Sequence, residues 1–187
     1  MSTNNSALQY YPNVYSDLQC QSLLDELNLV EKPEIVVYGK VVRQQRDVGF
    51  FSNVVAGYTY SHKFMPSQKL PEWLLDILND VNQVLGTDFN SVLINYYEDG
   101  SQYIGSHADD EPTLDLTPGV ASISFGASRK FRIRNKQKEI VVDLPLNDGD
   151  LVHMAGKFQE EFKHEIPKEL KISQWRYSLT FRKHSVR

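Results

Sequence analysis

The sequence has one cysteine, Cys20, which excludes an internal disulfide framework and any zinc or iron-sulfur centre built from several thiolates. That scarcity points to a reducing compartment. No run of about 18 apolar residues occurs, and the opening MSTNNSALQYYPN has neither a charged n-region nor an apolar h-region. The expectation is a soluble, intracellular protein with no membrane partner. A surplus of positive charge is missing too: 20 Lys and Arg stand against 24 Asp and Glu, a net charge of -4, which provides no overall attraction for nucleic acid. Internal repeats, low-complexity tracts and linkers are also absent.

What remains is 187 residues, 41% hydrophobic and 11% aromatic, enough for one domain with a buried core. A single unit over 1-187, acting as a monomer, is expected. In the first half, SDLQCQSLLDELNLV sets Leu18, Leu23, Leu24 and Leu27 on one stripe after Ser16 or Asp17, and LPEWLLDILNDVNQVLG opens at Pro71 and closes at Gly86. Both patterns predict amphipathic helices. Between them, EIVVYGKVVRQQR reads as a hairpin turning at Tyr38-Gly39-Lys40, and AGYTYSHKF as a short extended stretch.

From about residue 91 to 183 the texture changes to short strands separated by Gly, Pro, Asn and Asp: SVLINYY, VASISFG, KFRIRNK, EIVVDLPL, GDLVHMAG, FKHEIP and WRYSLTFRK. The fold class expected is mainly β with flanking helices, an antiparallel jelly-roll core packed under the N-terminal elements of about residues 1-90.

Within that half the chain reads HADDE, His107 to Glu111. An acidic run of this kind is ordinarily a solvated turn. In an extended segment, however, residues two apart point the same way, so His107 and Asp109 can reach one metal. Iron held for oxygen chemistry takes two imidazoles and a carboxylate on one face, leaving the opposite positions open. His164 in FKHEIP is a candidate third ligand, with His153 in GDLVHMAG as its competitor; His62 and His184 are the other histidines. In WRYSLTFRK, Arg176, Ser178, Thr180 and Arg182 alternate with Trp175, Tyr177, Leu179 and Phe181. A half-buried strand with a wet polar face shows the same alternation. If the polar face looks inward, its guanidinium groups can clamp a dicarboxylate, and Asn95 and Tyr97, which share a face of INYYEDG, can add an amide and a phenol. Six basic residues and no acid lie in Arg129 to Lys138, either a phosphate-facing patch or the solvated face and turn of a hairpin.

The ordered set NYYEDGSQYIGSHADDE, ASISFGASRKFRIR, LPLNDGDLVHM, FKHEIP and WRYSLTFRK resembles the AlkB family of iron(II)- and 2-oxoglutarate-dependent dioxygenases, especially its nucleic-acid demethylases, from about Ile35 to Lys183. The resemblance implies a double-stranded β-helix, iron on His107, Asp109 and His164, and 2-oxoglutarate on Arg176, Arg182, Asn95, Tyr97 and Thr180, with O2 as oxidant. Ser178 stands where many members carry asparagine, and is carried to the 2-oxoglutarate site on position alone. VVYGKVV resembles a hairpin that enters DNA, with Tyr38 at its tip, and GYTYS resembles a nucleotide-recognition lid. By the same likeness, Tyr58, Tyr60, Asp110 and Glu111 face the target base, and the basic run with Lys40, Arg43 and Arg46 faces phosphates. The activity implied is oxidative demethylation of 1-methyladenine and 3-methylcytosine in alkylated DNA, with loss of formaldehyde, succinate and CO2. RNA as the target, a protein or small-molecule oxygenase, and a non-catalytic binding module are the alternatives.

Overall fold

The computed structural model describes residues 7-16, 21-61 and 63-185. Asp17, Leu18, Cys20 and His62 lie outside the described residues. The first part carries β1 (Leu8–Tyr11), α1 (Gln21–Asp25), β2 (Glu34–Val37), β3 (Lys40–Arg43), β4 (Asp47–Phe51), β5 (Gly57–Tyr60), β6 (Lys63–Pro66) and α2 (Glu72–Leu85). The rest carries β7 (Ser91–Tyr97), β8 (Ile104–His107), β9 (Val120–Gly126), β10 (Arg129–Asn135) and β11 (Ile140–Leu146). It ends with β12 (Leu151–Met154), α3 (Phe158–Glu161), β13 (Phe162–Ile166) and β14 (Arg176–Arg182).

Two antiparallel sheets make the jelly roll, in the orders β1-β12-β9-β14-β7-β4 and β11-β10-β13-β8. The β2-β3 and β5-β6 hairpins stand outside both. β7, β9 and β14 sit together at the centre of the larger sheet and are buried along almost their whole length. Their two faces are chemically opposite. Val92, Ile94, Ala121, Ile123, Leu179 and Phe181 pack beneath the Leu74, Ile77, Leu78 and Val81 stripe of α2, whose leucines each contribute roughly 1.5–3 kcal/mol by leaving water. The other face looks between the sheets, where Val120, Val152 and Met154 meet Phe131, Ile133 and Ile166. The polar residues of that inner face are consequently buried between the sheets.

α2 begins after Pro71 and ends at Gly86, whose φ of 66° places its N–H on the Asn82 carbonyl, both as the sequence predicts. The first helix ends earlier than expected. α1 ends at Asp25, and Val30 forms an antiparallel bridge with Val48, its N–H 2.8 Å from the Val48 oxygen, so sheet pairing displaces the last predicted helical turn. The first hairpin turns on two residues, not three: Val37 pairs with Lys40, and Tyr38 and Gly39 have φ of 49° and 75°. Positive φ at both positions gives the twist that a two-residue hairpin needs. AGYTYSHKF is a second hairpin, with Tyr58 opposite Met65. β4 goes unpredicted because DVGFF, covered on both faces, shows no alternation.

Candidate active site

His107 ends β8 and His164 lies in the middle of β13, and the two are direct partners in the antiparallel register. Asp109 follows β8 by two residues, and its backbone N–H donates to Gln159 Oε1 at 2.9 Å. One ligand atom from each of His107, Asp109 and His164 lies within 4.8 Å of the others. The His107 Nδ1–H donates to the Gly105 carbonyl at 2.8 Å; a carbonyl only accepts, so the proton is on Nδ1 and the Nε2 lone pair is free. Burial pushes the His164 imidazole down to about 3, reinforced by His107, and burial lowers His107 as well. Both rings are neutral and able to ligate. Burial opposes the charge on Asp109, but the Arg182 guanidinium overcomes it and holds the carboxyl below the usual range.

The polar face of β14 is the inward one. Arg176, Ser178, Thr180 and Arg182 line the same cavity as the three ligands, together with Asn95 and Tyr97 of β7. Arg182 donates to Asp109 Oδ1, with Glu111 3.9 Å from its Nη1. Arg176 is 1% exposed and donates Nη2 to Ser124 Oγ at 2.8 Å, while its Nε and Nη1 have no partner. Burial lowers its pKa to about 10. The Tyr97 ring has two guanidinium groups near it, that of Arg176 at 5.5 Å and that of Arg129 at 5.7 Å from its centroid. Ser178 shares a hydroxyl contact of 3.0 Å with Ser122.

Tyr58 and Tyr60 also line this cavity, Tyr58 packed on Phe50 with ring centroids 4.8 Å apart. The hairpin tip Tyr38 is 100% exposed. Glu111 lies beside the cavity, both its carboxylate oxygens enclosed and without hydrogen bonds; burial raises its pKa. Asp110 is not brought to the cavity. It is exposed in a separate groove with Arg134, Lys136 and Lys138. His153 is engaged elsewhere, its Nε2 2.7 Å from the Pro118 carbonyl, and so loses the competition for the metal position.

Most of the basic run is neutralised within the protein. Arg129 is buried against Glu169 and the carbonyls of Asp99, Gln102 and Pro167; Arg132 pairs with Asp143 at 2.7 Å and Arg134 with Glu165 at 2.9 Å. Arg46 is also buried, in the cavity wall and away from any phosphate. Four site residues escape the sequence reading: Gln159, Ser122, Ser124 and the true place of Arg46. Only the two serines leave a signal, the alternation in VASISFG.

The model of the 2OG-Fe(II) oxygenase superfamily matches residues 7-182. Alpha-ketoglutarate-dependent dioxygenase alkB homolog 3 of Rattus norvegicus is 36% identical over 137 residues, 67% of this chain and 46% of its own length. The DNA oxidative demethylase ALKBH2 of Homo sapiens is 36% identical over 159 residues, 80% of this chain and 60% of its own. The chain belongs to the AlkB family. It spans about half the length of these relatives. The solved structure of OsALKBH1 shares the fold, with a TM-score of 0.65 over 95% of this chain and 98% of that one at 16% identity. An AlkB protein uses iron(II), 2-oxoglutarate and O2, and the cavity fits them. Asp109 Oδ2 is buried without a hydrogen bond, with His164 Nε2 3.6 Å away, and the free Nε and Nη1 of Arg176 call for an anion. No helix among the described residues is long and apolar enough to cross a membrane.

Outside the cavity, His184 gives this AlkB fold a pH response. Its Nδ1 is 2.8 Å from Ser91 Oγ, its Nε2 is buried without a partner, and burial, followed by the charge of Arg182, lowers its pKa from 6.5 to about 4. The unfolded chain takes the proton first, so this contribution to stability is full above about pH 6.5 and is lost as pH falls from there toward 4. His184→Asn should flatten that limb. Urea midpoints at about pH 7 and pH 5 will show a smaller drop in the variant than in the parent; equal drops would remove His184 from the account.

Proposed function

We propose that the chain demethylates N-alkylated bases in DNA, 1-methyladenine and 3-methylcytosine in particular. The observation that carries this reading is an aromatic wall over the metal ligands: Tyr58 and Tyr60 share one cavity with His107, Asp109 and His164. The name of the human relative, a DNA oxidative demethylase, agrees with it.

In this reading His107, Asp109 and His164 hold iron, while Arg176 and Arg182, with Asn95, Tyr97, Ser178 and Thr180, hold 2-oxoglutarate. Iron with 2-oxoglutarate and O2 supplies the oxidising power that hydroxylates the N-methyl carbon, which then leaves as formaldehyde, with succinate and CO2 as the other products. The chain's own work is placement. Arg182 fixes one oxygen of Asp109 and leaves the other for the metal. A flipped base stacks on Tyr60, with Tyr58 at its edge, and Glu111 favours a cationic lesion by its charge. Tyr38 enters the duplex from the β2-β3 turn and fills the space the base vacates.

Methyl loss from oligonucleotides carrying either lesion, followed by mass spectrometry with iron(II), ascorbate and 2-oxoglutarate, tests the assignment. Succinate without methyl loss would reject it. Because Tyr38 is fully exposed, Tyr38→Ala should leave the unfolding midpoint unchanged and single-stranded turnover intact, while duplex turnover falls about tenfold. An equal fall on both substrates would remove the wedge role.

A further inference from the structure

Arg46 has no part in the arrangement above. It directly precedes β4, whose Val48 is the register partner of Asn95 on β7, and it shares the inward face with Val48 and Phe50. The side chain is 6% exposed and makes no ion pair with a carboxylate among the described residues. Its Nε–H donates to Asn95 Oδ1 at 2.7 Å. A guanidinium carries donors only, so the atom it touches has to be the amide oxygen. That contact settles which way Asn95 faces. With its oxygen engaged, Asn95 has its NH2 group left for the cavity, and an amide NH2 donates to oxygen acceptors such as a carboxylate.

No other contact does this for Asn95. Ser178, its partner across β7 and β14, lies 3.0 Å from Ser122 through its hydroxyl. Without Arg46 the amide is free to turn and present its oxygen, which repels a carboxylate.

We propose that Arg46 is a positioning residue for the 2-oxoglutarate site, holding Asn95 as a hydrogen-bond donor toward the bound dicarboxylate. The inference rests on the reading that 2-oxoglutarate occupies this cavity. Calorimetric titration of 2-oxoglutarate into the Mn(II)-loaded full chain, with no nucleic acid present, tests it apart from demethylation. Arg46→Ala should raise the Kd about tenfold. Arg46→Gln, which keeps an N–H donor, should recover most of that affinity, and remains informative if the alanine variant folds poorly. In an Asn95→Ala background, Arg46→Ala should change the Kd by less than about twofold, because its route to the ligand has gone. An unchanged Kd in the single variant overturns the proposal. So does a loss of equal size in both backgrounds, which would mean Arg46 acts without Asn95. If the parent itself binds no 2-oxoglutarate, the cavity reading fails and the inference with it.

Discussion

Asp109→Asn should abolish metal binding and, in the same protein without metal, lower stability by about 3 kcal/mol. The two losses have separate causes. Metal binding fails because the amide replaces the only carboxylate of the cluster formed with His107 and His164. Stability falls because Arg182, buried behind Asp109, loses its closest anion; the figure sits at the low end of such losses since Glu111 stays 3.9 Å from Nη1. His107→Ala is the control that divides them. It removes a ligand but leaves the Arg182-Asp109 pair in place, so metal binding should disappear while metal-free stability changes by about 1 kcal/mol. Mn(II) calorimetry and urea unfolding of the metal-free chains read the two quantities. If Asp109→Asn unfolds at the parent's midpoint, Asp109 is not the anchor of Arg182.

Arg176→Met should act in opposite directions on binding and folding. The guanidinium is buried, with Nε and Nη1 unpaired, and its lowered pKa reflects the energetic cost of that burial. Replacing it with an apolar chain of similar length should leave the ligand-free protein as stable as before or up to about 2 kcal/mol more stable. The same change removes the fixed cation proposed to face the dicarboxylate, so the 2-oxoglutarate Kd should rise about 100-fold. Thermal melts with and without 2-oxoglutarate check both signs: a higher ligand-free midpoint and no ligand-dependent rise. A variant less stable than the parent without ligand would show that Arg176 is structural first.

How much of this the sequence shows depends on distance along the chain. His107 and Asp109 are two residues apart, and the β14 alternation lies within seven residues, so local periodicity exposes both. His164 faces His107 only through β-sheet register, and the choice between it and His153 needs the Pro118 carbonyl that occupies the latter. The basic run misleads for the same reason: its acids, Asp143, Glu165 and Glu169, come from later strands and loops and cannot be paired with it by inspection. Arg46 looks like one more cation in a basic hairpin. Its burial depends on β4, a strand whose two covered faces erase the alternation by which strands are recognised.

The two hairpins outside the sheets carry a consequence for how such a protein can change. Every proposed metal and 2-oxoglutarate residue lies on, or within two residues of, strands of the jelly roll, whereas Tyr38, Tyr58 and Tyr60 belong to the β2-β3 and β5-β6 hairpins. The β2-β3 turn can be lengthened or the exposed Tyr38 exchanged there without disturbing the layered interior beneath, whereas Tyr58 is packed on Phe50 and ties its hairpin to the sheet. If those hairpins choose the target as proposed, oxidising chemistry and target choice are inheritable as separate parts, and one scaffold can be turned to new targets by rebuilding about twenty residues at its rim.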